Sequence, residues 1–161
     1  MKAEVRCAVN FLSNLMVASH LPYQFVEPFR LRLEQLLLQR FRGHWHTDKP
    51  LKGSAYRCIR INEKKLDSIL VEAAQVTGLS DIRKFLPHEL TLWIDPKDVS
   101  YRFGEDGSVS SIPLEEYRQP RVASTTASWT SDLSQLYNLQ ACVGVYQQKT
   151  HRGTEISVEA S

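Results

Sequence analysis

The feature that most constrains the fold is the segment "ELTLWIDPKDVSYRFGEDG", residues 89–107, which contains two runs of alternating side chains and then a tight turn. Successive side chains of a strand point to opposite faces of its sheet. Leu90, Leu92 and Ile94 therefore share one apolar face, while Trp93 falls on the other face, between a threonine and an acid. Either a second element covers that Trp, or it is a surface anchor for a partner, and the strand alone leaves both open.

The second run continues the same antiparallel pattern. After a break at Asp95-Pro96, Val99, Tyr101 and Phe103 alternate along the next strand. "GEDG" is a tight turn signal, and "SVSSIP" after it is expected to pair back across the turn. This part of the chain therefore predicts a small antiparallel sheet.

Helical periodicity fills the first half of the chain. The predicted helices span residues 4–19, 26–42 and 66–78, with a short fourth helix between Ser80 and Pro87. Between them, "YRCIRIN" at 56–62 alternates as a short strand. Helices followed by a small antiparallel sheet predict an α+β fold.

Length and composition describe one domain with a tail. The 161 residues are 42% hydrophobic, enough for a core, and their formal charge of +2 is too weak to indicate direct nucleic-acid binding. We predict a domain over 1–118 and a mobile, Ser/Thr-rich tail over 119–161. The cysteines, Cys7, Cys58 and Cys142, lie far apart, which fits a reducing compartment. Neither a signal peptide nor a membrane-spanning run is found, so a soluble, intracellular protein is expected.

The second predicted helix contains "LEQLL", residues 33–37, which matches the LxxLL pattern of helices that dock into grooves. Apolar stripes of this kind usually face the core. We favour core positions for Leu33, Leu36 and Leu37. A docking motif for a transcriptional partner is left open, and it requires these three side chains to be exposed.

No arrangement of residues in the sequence indicates catalysis. "HWH" with Asp48 places two imidazoles near a carboxylate, but a metal site needs a further ligand at a defined spacing, so we interpret His44 and His46 as structural. The chain has no phosphate loop, nucleophile elbow or dinucleotide fingerprint. We therefore predict a protein that is not an enzyme and uses no cofactor or metal.

The short strand offers a weak case for nucleic-acid binding. Arg57 alternates with Ile59 and Ile61, which are expected to face inward, and Tyr56 falls on the opposite face with Arg60. An aromatic side chain and arginines on a sheet are able to stack bases. Because the overall charge is weak, we interpret both arginines as solvated strand charges.

Two blocks of the sequence resemble the signature boxes of the BTG/Tob family of antiproliferative proteins. They are "GHWHTDKPLKGSAYRCIRIN" at 43–62 and "LPHELTLWIDPKDVSYRFGEDGS" at 86–108, and their order and separation also match. The N-terminal "EVRCAVNFLSNLM" resembles the opening helix of the family, so the resemblance covers about residues 1–117. It departs from the usual boxes at "HWHTDKP" and at Lys97 and Asp98. The short tail favours the BTG branch over the Tob branch.

The resemblance implies a single α+β domain without enzymatic activity. Family members are adaptors that bind the Caf-type exonuclease subunit of the CCR-NOT deadenylase complex. Through it they promote mRNA poly(A) shortening and translational repression, and they restrain cell proliferation. The Tyr of the first box and the Trp and Asp of the second contact the deadenylase, which makes Tyr56, Trp93 and Asp95 the candidate contact residues here. A surface anchor is then the favoured role of Trp93.

A second contact is implied for "SSIPLEEY", residues 110–117. A segment after the second box contacts poly(A)-binding protein in the BTG branch, and Leu114, Glu115 and Glu116 are the candidates here, although Pro113 departs from the pattern. Sequence-specific RNA-binding or transcription factors are further expected partners, with residence in both cytoplasm and nucleus. We expect a monomer. The alternatives are a self-assembling structural or translational regulator of the same fold, and the transcriptional co-regulator that uses the LxxLL helix.

Overall fold

Helices open the fold and an antiparallel sheet closes it. The computed structural model describes residues 1–79 and 81–115, so the predicted tail over 119–161 lies outside the described residues. The elements are α1 (Lys2–Ala18), α2 (Tyr23–Arg40), β1 (Cys58–Ile61), α3 (Ser68–Gln75), β2 (Leu90–Asp95), β3 (Asp98–Phe103) and β4 (Ser110–Ser111), with 3₁₀ turns at Ser54–Tyr56 and Ile82–Phe85. Within this part of the chain, no helix has both the length and the apolar character needed to span a bilayer. The predicted α+β fold is confirmed.

The sheet has the strand order β1-β2-β3-β4, and each neighbouring pair is antiparallel. The register pairs Trp93 with Cys58 on one side and with Ser100 on the other. It also pairs Leu92 with Ile59. Because directly opposite residues share a face of the sheet, the row through Leu92 lies on one face and the row through Trp93 on the other. The two faces are therefore those that alternation predicted.

Helix α1 packs on the apolar face of the sheet. Leu90, Leu92 and Ile94 of β2 are at most 1% exposed. The Phe11 ring of α1 packs against Tyr101 of β3, with ring centroids 4.6 Å apart. Burying an apolar side chain of this size stabilises a fold by roughly 1.5–3 kcal/mol. This layer therefore fixes the position of β2 and with it the direction of Trp93.

Helix α2 packs on α1 and buries the leucines of the LxxLL pattern. Leu33 and Leu37 are fully buried, and Leu36 is 8% exposed. The alternative of an exposed docking motif is therefore wrong for this fold, because its three anchors belong to the core. The helix also begins at Tyr23, whereas the predicted helix began at residue 26, and Pro28 therefore lies inside it.

Several elements are shorter than the sequence pattern predicted. Helix α3 begins after Asp67, whose side chain caps it by accepting a backbone N–H, and it ends at Gln75. The predicted fourth helix between Ser80 and Pro87 is the 3₁₀ turn Ile82–Phe85, and Ser80 lies outside the described residues. Strand β1 begins at Cys58, so Tyr56 and Arg57, which were predicted to belong to the strand, precede it.

The turn between β2 and β3 is fastened to α1. Lys97 has φ +71, a left-handed conformation that is costly for a residue other than glycine. Its backbone N–H donates to Glu4 Oε1 at 3.1 Å, and the amino group of Met1 pairs with Glu4 Oε2 at 2.5 Å. Burial alone raises the pKa of Glu4, but these bonds and its own backbone amide bring that pKa below its usual value. The ionised carboxylate thus holds the turn.

Candidate functional site

Trp93 lies on the face of the sheet opposite α1. Its ring is half-buried, and its cross-strand neighbours are Cys58 and Ser100. The guanidinium of Arg102 lies over the ring, 5.8 Å from the ring centroid, which is within the range of a cation–π attraction. Burial raises the pKa of the Cys58 thiol, so it faces the ring as a neutral group. Trp93 is therefore covered only in part and remains partly exposed.

Tyr56 lies in the 3₁₀ turn before β1, not on the strand as predicted. Its side chain is 43% exposed. The ring stacks on His44, with centroids 4.1 Å apart and planes at 28°, and the guanidinium of Arg40 lies 5.6 Å from its centroid. His44 therefore packs an aromatic ring, and the described residues contain no group of three or more side chains able to hold a metal ion.

Asp95 is held inside the domain. It is 7% exposed. Its Oδ1 accepts hydrogen bonds from Arg57 Nε at 3.1 Å and Arg57 Nη2 at 2.5 Å, and its Oδ2 accepts one from Ser54 Oγ at 2.6 Å. Both carboxylate oxygens therefore have partners within the domain. The side chain ties the end of β2 to the turn that carries Tyr56.

Arg57 is fully buried, so its interpretation as a solvated strand charge is wrong. Besides Asp95, the guanidinium donates to four backbone carbonyl oxygens. They belong to Ile94 at 3.1 Å, His44 at 2.7 Å, Lys52 at 2.8 Å and Pro50 at 2.6 Å. A buried charge is tolerated when it is paired and its donors are satisfied. The guanidinium thus fastens the segment 43–57 to the end of β2.

Gly53 makes room for the Arg57 guanidinium. It has φ +78, and a Cβ at this position would lie 3.2 Å from Arg57 Nη1. Glycine adopts this conformation without steric cost. The centroid of the Trp45 ring lies 5.5 Å from Cζ of the same guanidinium. The carboxylate, the glycine and the indole together enclose the cation.

Sequence reasoning missed the roles of Arg57 and Ser54. A signal for Arg57 was present, because it alternates in phase with Ile59 and Ile61, which are each 1% exposed. Nothing in the local sequence marks Ser54, because its acceptor, Asp95, lies far along the chain. Tyr56, Trp93 and Asp95, the three residues predicted to contact the deadenylase, nevertheless lie together at one end of the β1–β2 pair.

The exposed part of this site is an aromatic surface whose neighbouring arginines are ion-paired within the domain, Arg40 with Asp67 and Arg102 with Glu105. Trp93 pairs in register with Cys58, which stands two residues after Tyr56, so both rings belong to the same end of β1 and β2.

Arg60 keeps the solvated character that the sequence predicted. Its side chain is 55% exposed and pairs with Glu105. Glu105 Oε2 also accepts a hydrogen bond from Arg102 Nη2 at 3.1 Å. The hydrogen bond from Arg60 lowers the pKa of Glu105, so this carboxylate stays ionised. Water screens such a group and its effect on stability is small, but it holds Arg102 beside the Trp93 ring.

The segment expected to contact poly(A)-binding protein is only partly available. Leu114 is 5% exposed, so its side chain packs within the domain, and the prediction of a partner contact through it is corrected. Glu115 is exposed. Glu116 lies outside the described residues.

The fold and this site define a BTG-type domain. The sequence model of the BTG family matches residues 1–113. The chain therefore belongs to the BTG family, as the two signature boxes predicted.

Curated relatives align over the same part of the chain. It is 46% identical to BTG1 of Homo sapiens over 112 residues, which cover 68% of this chain and 65% of BTG1. It is 46% identical to BTG2 of Homo sapiens, covering 68% of this chain and 70% of BTG2. It is 40% identical to Tob1 of Rattus norvegicus over 118 residues, which cover 72% of this chain and 32% of Tob1.

A solved structure shares the fold. The BTG/Tob domain of C. elegans FOG-3 is similar with a TM-score of 0.61 and 26% sequence identity, over 69% of this chain and 88% of that chain. Helices packed on an antiparallel sheet are therefore the architecture of this domain.

Proposed function

We propose that this chain is a non-enzymatic adaptor that binds the Caf-type exonuclease subunit of the CCR-NOT deadenylase. Through that contact it promotes the shortening of mRNA poly(A) tails and restrains proliferation, in both cytoplasm and nucleus. One observation carries the proposal. In a domain of the BTG family, Tyr56 and Trp93 keep exposed ring surface at one end of the sheet, while the backbone beneath them is fixed by a buried ion pair.

Trp93 is the main anchor in this proposal. Trp and Tyr are frequent hot-spot residues because they bury a large area with few rotatable bonds. Tyr56 adds a second ring, whose hydroxyl remains able to bond to the partner. Arg40 and Arg102 stand beside the two rings, but each is paired with a carboxylate of the domain, Asp67 and Glu105 respectively. Most of the affinity is therefore expected from the ring area rather than from charge.

A smaller contact with poly(A)-binding protein is proposed through Glu115, whose side chain is exposed just after β4. It involves a carboxylate at the surface and is therefore expected to be weak and sensitive to salt.

The experiment is a calorimetric titration of the purified Caf-type deadenylase with the full chain and with three alanine variants. Trp93→Ala is expected to weaken binding by about 2–4 kcal/mol, which is roughly thirty- to a thousandfold in Kd. Tyr56→Ala is expected to have a smaller effect in the same direction. Tyr23→Ala is the matched control, since Tyr23 is 56% exposed but lies at the start of α2.

Circular dichroism of each variant separates binding from folding. A folded Trp93→Ala that binds like wild type would refute the proposal. If wild type fails to bind the nuclease, ultracentrifugation of the same sample tests self-assembly, which stays a prediction.

A further inference from the structure

We propose that Asp95 and Ser54 are positioning residues for Tyr56, and that Asp95 acts on the partner only through the turn it holds. This inference rests on the proposed function for the partner's identity. It assigns to Ser54 a role that its local sequence does not indicate, and it changes the role of Asp95 from a contact to a support.

Asp95 has little to offer a partner directly. Its side chain is 10% exposed, and the guanidinium paired with it is fully buried. A buried cation requires its counter-ion, because an uncompensated charge in the interior is strongly destabilising. The carboxylate is therefore committed to Arg57, and its remaining oxygen is committed to the Ser54 hydroxyl at 2.6 Å.

Asp95 is linked to Tyr56 through the 3₁₀ turn Ser54–Tyr56, whose first residue it holds. The Ser54 hydroxyl donates to Asp95, and the backbone N–H of Arg57 donates to the Ser54 carbonyl at 3.0 Å. The N–H of Tyr56 donates to the Gly53 carbonyl at 3.0 Å. The turn spans only three residues. The bond from the Ser54 hydroxyl to the Asp95 carboxylate is the side-chain bond that the turn itself makes, in addition to the bonds by which the Arg57 guanidinium holds the segment before β1.

Loosening this turn lowers the fraction of molecules that present the Tyr56 ring correctly. The apparent Kd rises in inverse proportion to that fraction. The remaining backbone bonds keep part of the population ordered. We therefore expect Ser54→Ala to weaken binding of the deadenylase by about three- to tenfold.

The first test uses the free protein and needs no partner. Hydrogen exchange is measured at the amides of Tyr56 and Arg57 in wild type, Ser54→Ala and Ser54→Thr. Ser54→Ala is expected to speed exchange at both amides by about threefold or more, and Ser54→Thr, which keeps the hydroxyl, is expected to restore slow exchange. The matched control is Ser68→Ala, at an exposed serine at the start of α3, which leaves both amides unchanged.

The second test is a double-mutant cycle of Ser54→Ala with Tyr56→Ala, read out as the Kd for the purified deadenylase. If Ser54 acts through Tyr56, its substitution changes the Kd by less than about twofold once Tyr56 is alanine. Effects that multiply independently would overturn the inference, since they would mean that the two residues reach the partner separately.

The results distinguish this inference from the function on which it rests. Unchanged exchange in Ser54→Ala refutes the positioning role even if the nuclease binds. Faster exchange with no binding of the nuclease by wild type supports the positioning of Tyr56 and refutes the proposed function instead. Asp95→Asn is a poorer variant, because it leaves the buried Arg57 without its counter-ion.

Discussion

Replacing Arg57 with lysine retains the positive charge but removes the several N–H donors of the guanidinium, which hold the segment 43–57 in place. The guanidinium makes six hydrogen bonds to five acceptor atoms, of which four are backbone carbonyls and one is Asp95 Oδ1. A lysine ammonium has three donors on one nitrogen. At least two of the five acceptors are therefore left without a donor.

The cost follows from those orphaned acceptors. Each buried polar group that loses its partner costs about 1–3 kcal/mol, so Arg57→Lys is expected to destabilise the domain by about 2–6 kcal/mol. Total stabilities of natural domains are only about 5–15 kcal/mol. For a domain of this size about 4 °C of Tm corresponds to 1 kcal/mol, so the Tm falls by about 8 °C or more.

The assay is urea unfolding followed by tryptophan fluorescence, with Trp45 beside the guanidinium as a local reporter. The matched control is Arg60→Lys, three residues further along and with a side chain 55% exposed, which is expected to leave the unfolding midpoint unchanged. The midpoint should shift without a change in slope. Equal midpoints for Arg57→Lys, Arg60→Lys and wild type would show that the buried hydrogen bonds do not stabilise the fold.

Three further predictions concern the frame around the site. Gly107→Ala is expected to destabilise the domain by about 1–3 kcal/mol, because a Cβ there would overlap the Phe103 carbonyl oxygen. The control is Gly78→Ala, whose Cβ meets open space and which therefore adds only backbone strain. The Tm of both variants is measured by thermal unfolding, and an equal fall in Tm would count against the overlap. The pKa of Glu4 is lowered in the folded domain, so the ionised carboxylate stabilises the fold above the usual pKa of a glutamate, and this stabilisation is lost as the pH falls through the folded pKa. Glu4→Gln should therefore make the Tm fall less steeply at acid pH. An unchanged acid dependence of the Tm would contradict this. Leu33→Ala, at a fully buried position of α2, should cost about 2–5 kcal/mol by denaturant unfolding, and a near-neutral result would reopen the docking-motif alternative.

Alternation along the two strands was enough to predict the hairpin and the direction of Trp93. It succeeded because a strand with one buried face fixes its own register, and a shift of one residue would expose the whole apolar row. Leu90 and Leu92 are buried as that reasoning requires. The LxxLL ambiguity was of another kind, because a helical stripe has the same pattern whether it packs inside its own domain or against a partner.

The connection before β1 was beyond such reasoning. Extending the alternation of the strand back to Tyr56 placed this residue on a sheet face, whereas a 3₁₀ turn carries it. The turn forms because Gly53 takes a left-handed conformation and because Asp95, distant in sequence, supplies an acceptor. Periodicity indicates the direction of side chains within one element. It does not indicate which carbonyl oxygens, distant in sequence, will accept hydrogen bonds from a buried guanidinium.

The convergence of loop carbonyls on Arg57 has a consequence for the energetics of association. An irregular connection would ordinarily pay conformational entropy when a partner orders it, but here that ordering is already achieved during folding. We expect the free and bound backbones of segment 43–57 to superpose closely. The heat-capacity change of binding should then reflect the area of the two aromatic rings and their surroundings, without a contribution from loop folding.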